Sequence, residues 1–313
     1  MQAVIVSDYG KGTVHPALLE LLADSERGHE LVGGAVADEL RAFAAYGMAR
    51  VGSLYPTSAQ AVVDALRAAL ARKNAHELEV ACVQALGLVP CAGAAEVQRF
   101  ELFLALAEDT ARSPYARGQA ALGLCRGFEA LPPEQVPSWR ERVATAELAW
   151  IASPVAPLPL RRQATLALGA LSAAIEPELR ARLAAGLRAL VQPDTDATLT
   201  GYALLALAAS AQAIPDERPE VAAELADFLV AQLAGPNERR PWAALACGRM
   251  AWALWHPTRE PERFAETLAK LRSALSARLH ATNGKDAAFV VAGRLAADEE
   301  GFAWATKELH TVK

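Results

Sequence analysis

The sequence predicts an all-α protein built as a stack of helix pairs. Three observations carry that expectation: the composition, a small-residue motif that recurs about every forty positions, and an amphipathic segment between successive copies. Of 313 residues, 53% are hydrophobic but only 6% are aromatic. Roughly 70 are alanine, the strongest helix former. β-Branched and aromatic residues are too sparse for a sandwich or barrel. High apolar content with a formal charge of −5 excludes a disordered chain. The acidic balance argues against a dedicated nucleic-acid binder.

The motif places two small residues three apart, then an apolar residue, then Gly or Ala. Successive copies end at Ala49, Gly87, Gly123, Gly169, Ala208, Gly248 and Gly293. Five positions before these anchors stand Ala44, Cys82, Gly118, Ala164, Ala203, Ala243 and Ala288, all small. Two positions before them stand Gly47, Ala85, Ala121, Ala167, Ala206, Ala246 and the larger Val291. Residues three apart share one helix face, so each copy offers a neighbouring helix room to come close. The first helix is expected near Pro16–Leu22, and Gly33-Gly34 reads as a turn between helices.

Between the inner, Ala-rich helices lie more ordinary amphipathic ones, for example Ala59–Arg72, Glu96–Glu108, Glu178–Val191, Glu220–Leu233 and Glu262–Leu279. Leu179, Leu183, Leu187 and Leu190 form a single apolar stripe. Three of these helices open on a Pro-Glu pair, at Pro177, Pro219 and Pro261. Proline at the first helical position loses no needed hydrogen bond, and glutamate suits the positive end of the dipole. The prolines at 132, 133, 154, 157 and 159 mark longer connections around the fourth copy. One pair cannot bury its own apolar side; stacking does. The organisation expected is one array over 1–313, with a loop and first helix at 1–39, repeats at 40–300 and a tail at 301–313.

The inner segments resemble HEAT (armadillo-like) repeats of the short bacterial type. Leu160-Arg161 with Ala164, Ala167, Leu168 and Gly169 carries the likeness, as does Leu40-Arg41 with Ala44, Met48, Val51 and Gly52. The spacing lies near the repeat length of such arrays. Pro241-Trp242 and Gly284-Lys285-Asp286 depart from the pattern. The resemblance implies an α-solenoid of about seven antiparallel helix pairs in a right-handed superhelix. Proteins of this kind serve as scaffolds, adaptors and regulators, and rarely as enzymes.

Chemical motifs are missing from the sequence. The six histidines are scattered, and no phosphate loop, nucleophile elbow or dinucleotide fingerprint occurs. Asp194 and Asp196 read as turn and N-cap residues. Cys82, Cys125 and Cys247 read as buried packing residues, and no Cys-x-x-Cys pair occurs. No cofactor and no metal are expected. Two features suggest a surface for a protein partner. Arginine follows the anchor at Arg50, Arg249 and Arg294, and slightly later at Arg126. Trp242, Trp252 and Trp255 cluster with Met250, and tryptophan is frequent at interaction hot spots.

The expected function is a non-enzymatic protein-interaction scaffold that binds its partner on the concave face, with nucleic acid an unlikely ligand. The alternatives are an enzyme on the same array, resembling bilin lyases or DNA glycosylases of HEAT-like fold, or a structural segment of a larger protein. Without a signal peptide or membrane span, and with few cysteines, a cytoplasmic location is expected, although the abrupt opening leaves room for an upstream targeting segment.

Overall fold

A computed structural model describes residues 16–72, 75–171, 176–215, 218–255, 260–281 and 292. All regular structure among them is helical. The residues fall into two compact units, one drawn from Met1–Trp139 with Pro157–Gln163, the other from Arg140–Ala156 with Ala164–Lys313.

The first unit holds α1 (Pro16–Ala23), α2 (Glu26–Val32), α3 (Asp38–Leu54), α4 (Ala59–Leu70), α5 (His76–Leu88), α6 (Ala94–Glu108) and α7 (Pro114–Leu124). α1 begins where expected. The stretch before residue 40 contains a second helix, α2, which Ser25 caps by accepting from the Gly28 amide. Gly33 closes α2 in the left-handed conformation, φ 76°, which glycine adopts without penalty. α3 packs on α5 and α5 on α7, while α4 lies against α3 and α5, and α6 against α7.

The inner helices of the first unit lie side by side in register. The Tyr46 hydroxyl donates to Gln84 Oε1. A β-carbon on Gly52 would stand 3.2 Å from Val89 Cγ1. Both contacts advance in the same direction along the two helices, by nearly the spacing of anchors Ala49 and Gly87. Behind them sits an aromatic core. Phe100 and Phe103 are fully buried. Phe100 meets Phe128 and Trp139 edge-on, with ring centroids 5.0 and 5.3 Å apart. Each such ring contributes about 1.5–3 kcal/mol by leaving water.

α8 (Val136–Ala152) and α9 (Leu158–Leu171) each give residues to both units. α8 was not among the helices expected from sequence, though Trp139, Val143, Ala144 and Ile151 form a buried stripe of helical period. The long spacing before Gly169 comes from this 17-residue helix and from short 3-10 turns at Phe128–Ala130 and Pro133–Gln135.

The second unit continues with α10 (Pro177–Ala189), α11 (Ala197–Ala209), α12 (Pro219–Gln232), α13 (Arg240–Leu254) and α14 (Ala265–Ala281). Proline opens α10 and α12 as expected, whereas Pro261 opens a 3-10 turn that precedes α14. α11 packs on α13. Gly169 of α9 lies so close to α11 that a β-carbon would stand 2.7 Å from Ala206 Cα. One on Gly248 of α13 would stand 2.7 Å from Ala292 Cα. The columns read from sequence are the surfaces of closest approach: Ala164, Ala167, Ala203, Ala206, Ala243 and Ala246 are all buried. The rest of the seventh copy, Ala288, Val291 and Gly293 included, lies outside the described residues.

Not every anchor glycine has the same reason to be glycine. A β-carbon on Gly87 would meet nothing nearer than Phe103 Cζ, at 3.9 Å. Gly87→Ala is therefore expected to be neutral or to stabilise by up to about 1 kcal/mol through helix propensity. Gly169→Ala is expected to destabilise by about 1–3 kcal/mol through overpacking on Ala206. Denaturant unfolding of the two variants measures this; equal effects would contradict the close approach.

Candidate partner-binding face

Many of the arginines serve the scaffold. A helix leaves its last carbonyls unpaired, and here arginines from neighbouring elements close them. Arg41 Nε donates to Leu22 O at 3.1 Å and Arg72 Nη1 to Ala23 O at 2.7 Å, both at the end of α1. Arg99 Nη1 donates to Leu86 O and Val89 O at the end of α5. Arg117 Nε donates to Ala107 O at 2.8 Å. In the second unit Arg239 donates to Gln192 O, and Arg278 Nη2 to Leu233 O at 2.9 Å. A charged donor makes such a bond stronger than a neutral one.

Arg99 also pairs with Glu96, Nη2 to Oε1 at 2.5 Å. Glu96 is fully buried, and burial pushes its carboxyl upward, opposed by the Arg99 charge. Gly127, at φ 83°, passes directly over this pair, where any side chain would collide with both groups. The pair joins α6, the end of α5 and the turn after α7.

Against this background Arg50, Arg126 and Arg249 stand apart. All three are exposed, and none of their side chains makes a hydrogen bond or ion pair with the described residues. Arg294 lies outside the described residues. Arg50 sits on α3 in line with Phe43, Tyr46 and Leu54, at positions i, i+3, i+7 and i+11, one face of a helix. Phe43 is 72% exposed and Leu54 46%. Next to it α5 offers Leu88, also exposed, and α7 offers Tyr115, whose ring meets His76 edge-on at 5.2 Å. Arg126 follows the C-terminal end of α7. The first unit thus exposes apolar and aromatic side chains on α3, α5 and α7, with free cations near the C-terminal ends of α3 and α7. Exposed large apolar side chains grouped on a surface mark interaction sites.

In the second unit, α13 carries Trp242, Leu245, Arg249 and Trp252 along one stripe. Trp242 is only half-exposed. It covers Gly201 and meets Tyr202 edge-on, ring centroids 5.6 Å apart, so it also joins α11 to α13. Trp252 is 41% exposed and Trp255 39%, while Met250 is buried. Glu39, Phe43, Tyr46 and Arg50 have the same spacing as Glu238, Trp242, Leu245 and Arg249. The surface pattern therefore recurs once in each unit. The arginine and tryptophan members were evident from sequence, but Phe43, Tyr46 and Leu54 were not. A signal for Phe43 exists: the position six before the anchor is aromatic at Phe43, Tyr202 and Trp242.

Among the other candidates, Asp196 caps α11, its Oδ1 accepting from the Leu199 amide at 2.8 Å. Cys82 and Cys247 are buried, and burial pushes both thiols up to about 12. Cys125 is not buried as expected: α7 ends at Leu124, which leaves the thiol half-exposed in the following turn. No group of three His, Cys, Asp or Glu side chains arranged to hold a metal occurs among the described residues. No described helix is long and apolar enough to cross a membrane.

The two sets of arginines are expected to respond differently. Arg41→Ala should cost about 1–3 kcal/mol, because it strips a donor from the buried Leu22 carbonyl at the end of α1. Arg50→Ala and Arg249→Ala should stay within about 0.5 kcal/mol of the parent. Thermal unfolding of the three variants measures this; a large loss from Arg50→Ala would contradict its freedom from the scaffold.

No family model matches this chain, and no curated protein does. Among solved structures, the chain is similar to two engineered proteins. One is 18% identical over 94% of this chain and 77% of its own, with a TM-score of 0.45. The other is 19% identical over 67% of this chain and 95% of its own, with a TM-score of 0.36.

Proposed function

We propose that this protein is a non-enzymatic binding scaffold of HEAT-like construction, acting in the cytoplasm, that holds a protein partner on the open face of its inner helices. The observation that carries the reading is Phe43. A phenylalanine 72% exposed on a helix otherwise packed with alanine stabilises nothing in the isolated fold. Tyr46 and Leu54 lie along the same helix face, Leu88 and Tyr115 are also exposed on α5 and α7, and Arg50 and Arg126 supply charges that the scaffold does not use. Aromatic residues and arginine are the types that dominate binding energy at protein interfaces. The corresponding stripe on α13, with Trp242, Arg249, Trp252 and the adjacent Trp255, offers the second unit a surface of the same chemistry.

The test replaces both apolar anchors of α3. The Phe43→Ser, Leu54→Ser double variant should unfold at the parent's temperature or slightly above it. In a cross-linked affinity capture it should lose the proteins the parent retains, since truncating a central anchor costs about 2 kcal/mol or more of binding. An unchanged set of captured proteins would contradict the proposed face.

A further inference from the structure

If the open face of the first unit is the binding surface, as proposed above, the surface of α3 also specifies what occupies it. Glu39, Phe43, Tyr46 and Arg50 are exposed along one face of this helix, spaced four, three and four apart. That is the spacing of a helix seam that meets a single partner helix. α1, α4 and α5 pack on the other faces of α3, and none of them covers Phe43.

The stripe is complementary to itself. It carries a carboxylate at one end, a guanidinium at the other and two aromatic rings between. The midpoint between Glu39 and Arg50 falls between Ala44 and Ala45, and so does the midpoint between Phe43 and Tyr46. A two-fold axis crossing α3 there sets each Glu39 against the other copy's Arg50 and each Phe43 against the other copy's Tyr46. Two-fold interfaces are reciprocal in this way. We infer that the occupant of the stripe is α3 of a second copy of this chain, lying antiparallel, with two ion pairs flanking four aromatic rings. A parallel pair does not fit, because an axis along the helix brings Glu39 onto Glu39 and Arg50 onto Arg50, and like charges opposed across an interface are costly. Neither charge is committed elsewhere: among the described residues the Glu39 and Arg50 side chains make no hydrogen bond or ion pair. Tyr46 donates its hydroxyl to Gln84, which orders its ring before the copies meet. The α13 stripe is a poorer match, since Glu238 precedes the helix and Trp242 is already engaged on Gly201 and Tyr202. One helix pair buries less than the about 800 Å² per partner of a standard interface, so a dimer of roughly micromolar strength is expected.

The experiment is sedimentation equilibrium of the full chain from about 1 to 200 μM. The parent should dimerise, and Phe43→Ser should weaken the dimer. Glu39→Lys and Arg50→Glu should each weaken it about tenfold or more, because each sets two like-charge pairs across the axis. Mixed in equal amounts, these two variants should recover the parent's affinity as a one-to-one heterodimer, since both contacts are then of opposite charge again. That recovery also shows that each variant is folded. A parent that stays monomeric throughout, a dimer untouched by the three substitutions, or charge variants that do not pair on mixing would overturn the inference. The open-face reading is then judged separately. Capture that still depends on Phe43 and Leu54 leaves the face standing with a different protein on it, and capture independent of them overturns both.

Discussion

The structure depends on how closely its inner helices approach. Two helices in van der Waals contact through alanine and glycine leave no room for a β-carbon at the tightest points, and Gly169 over Ala206 and Gly248 over Ala292 are such points. Close-packed interiors do not tolerate added volume without moving backbone. Small residues at matching places therefore set both the separation and the register of neighbours. Bulk is moved to the layer behind, where Phe100, Phe103 and Trp139 fill the space that the alanines do not.

Register has a second consequence. When identical columns lie side by side, the residues facing away from the core also line up, and a face is composed by the repeat rather than by any single helix. Tyr46 beside Gln84 is the clearest case. The Glu-aromatic-apolar-Arg spacing of α3 in the first unit recurs near the start of α13 in the second. Arginine is divided between two tasks. Arg41, Arg99, Arg117 and Arg278 close the carbonyl ends of helices and Arg239 ties down the loop after α10, while Arg50, Arg126 and Arg249 are left to solvent.

Much of this was legible in the sequence, and the rest was hidden for physical reasons. The helical class and the small-residue columns could be read because periodicity and residue volume act locally along the chain. The Pro-Glu starts of α10 and α12 were equally plain, as was the Asp196 cap. α8 is hard to read in the sequence because its core stripe includes the buried carboxylate of Glu147 and so lacks a clean apolar rhythm. Just past the end of α7, Gly127 passes over the Glu96–Arg99 pair, a contact between distant segments that the sequence does not display. The work of the carbonyl-capping arginines was invisible for the same cause, since donor and acceptor lie up to 49 positions apart. Phe43 and Tyr46 carry no sequence mark of exposure, because an aromatic residue in an apolar helix reads as core.

The stack and the proposed binding face both require that α3 and α5 touch, in register, where the chain has made room. Oxidative cross-linking of a Gly52→Cys, Val89→Cys variant measures this directly, read by mass spectrometry of the linked peptides. A β-carbon at 52 faces the Val89 side chain across 3.2 Å, within reach of a disulfide. Rapid formation of the 52–89 link under mild oxidant is the predicted result. Two thiols that stay reduced, or that link instead to other positions, would contradict it.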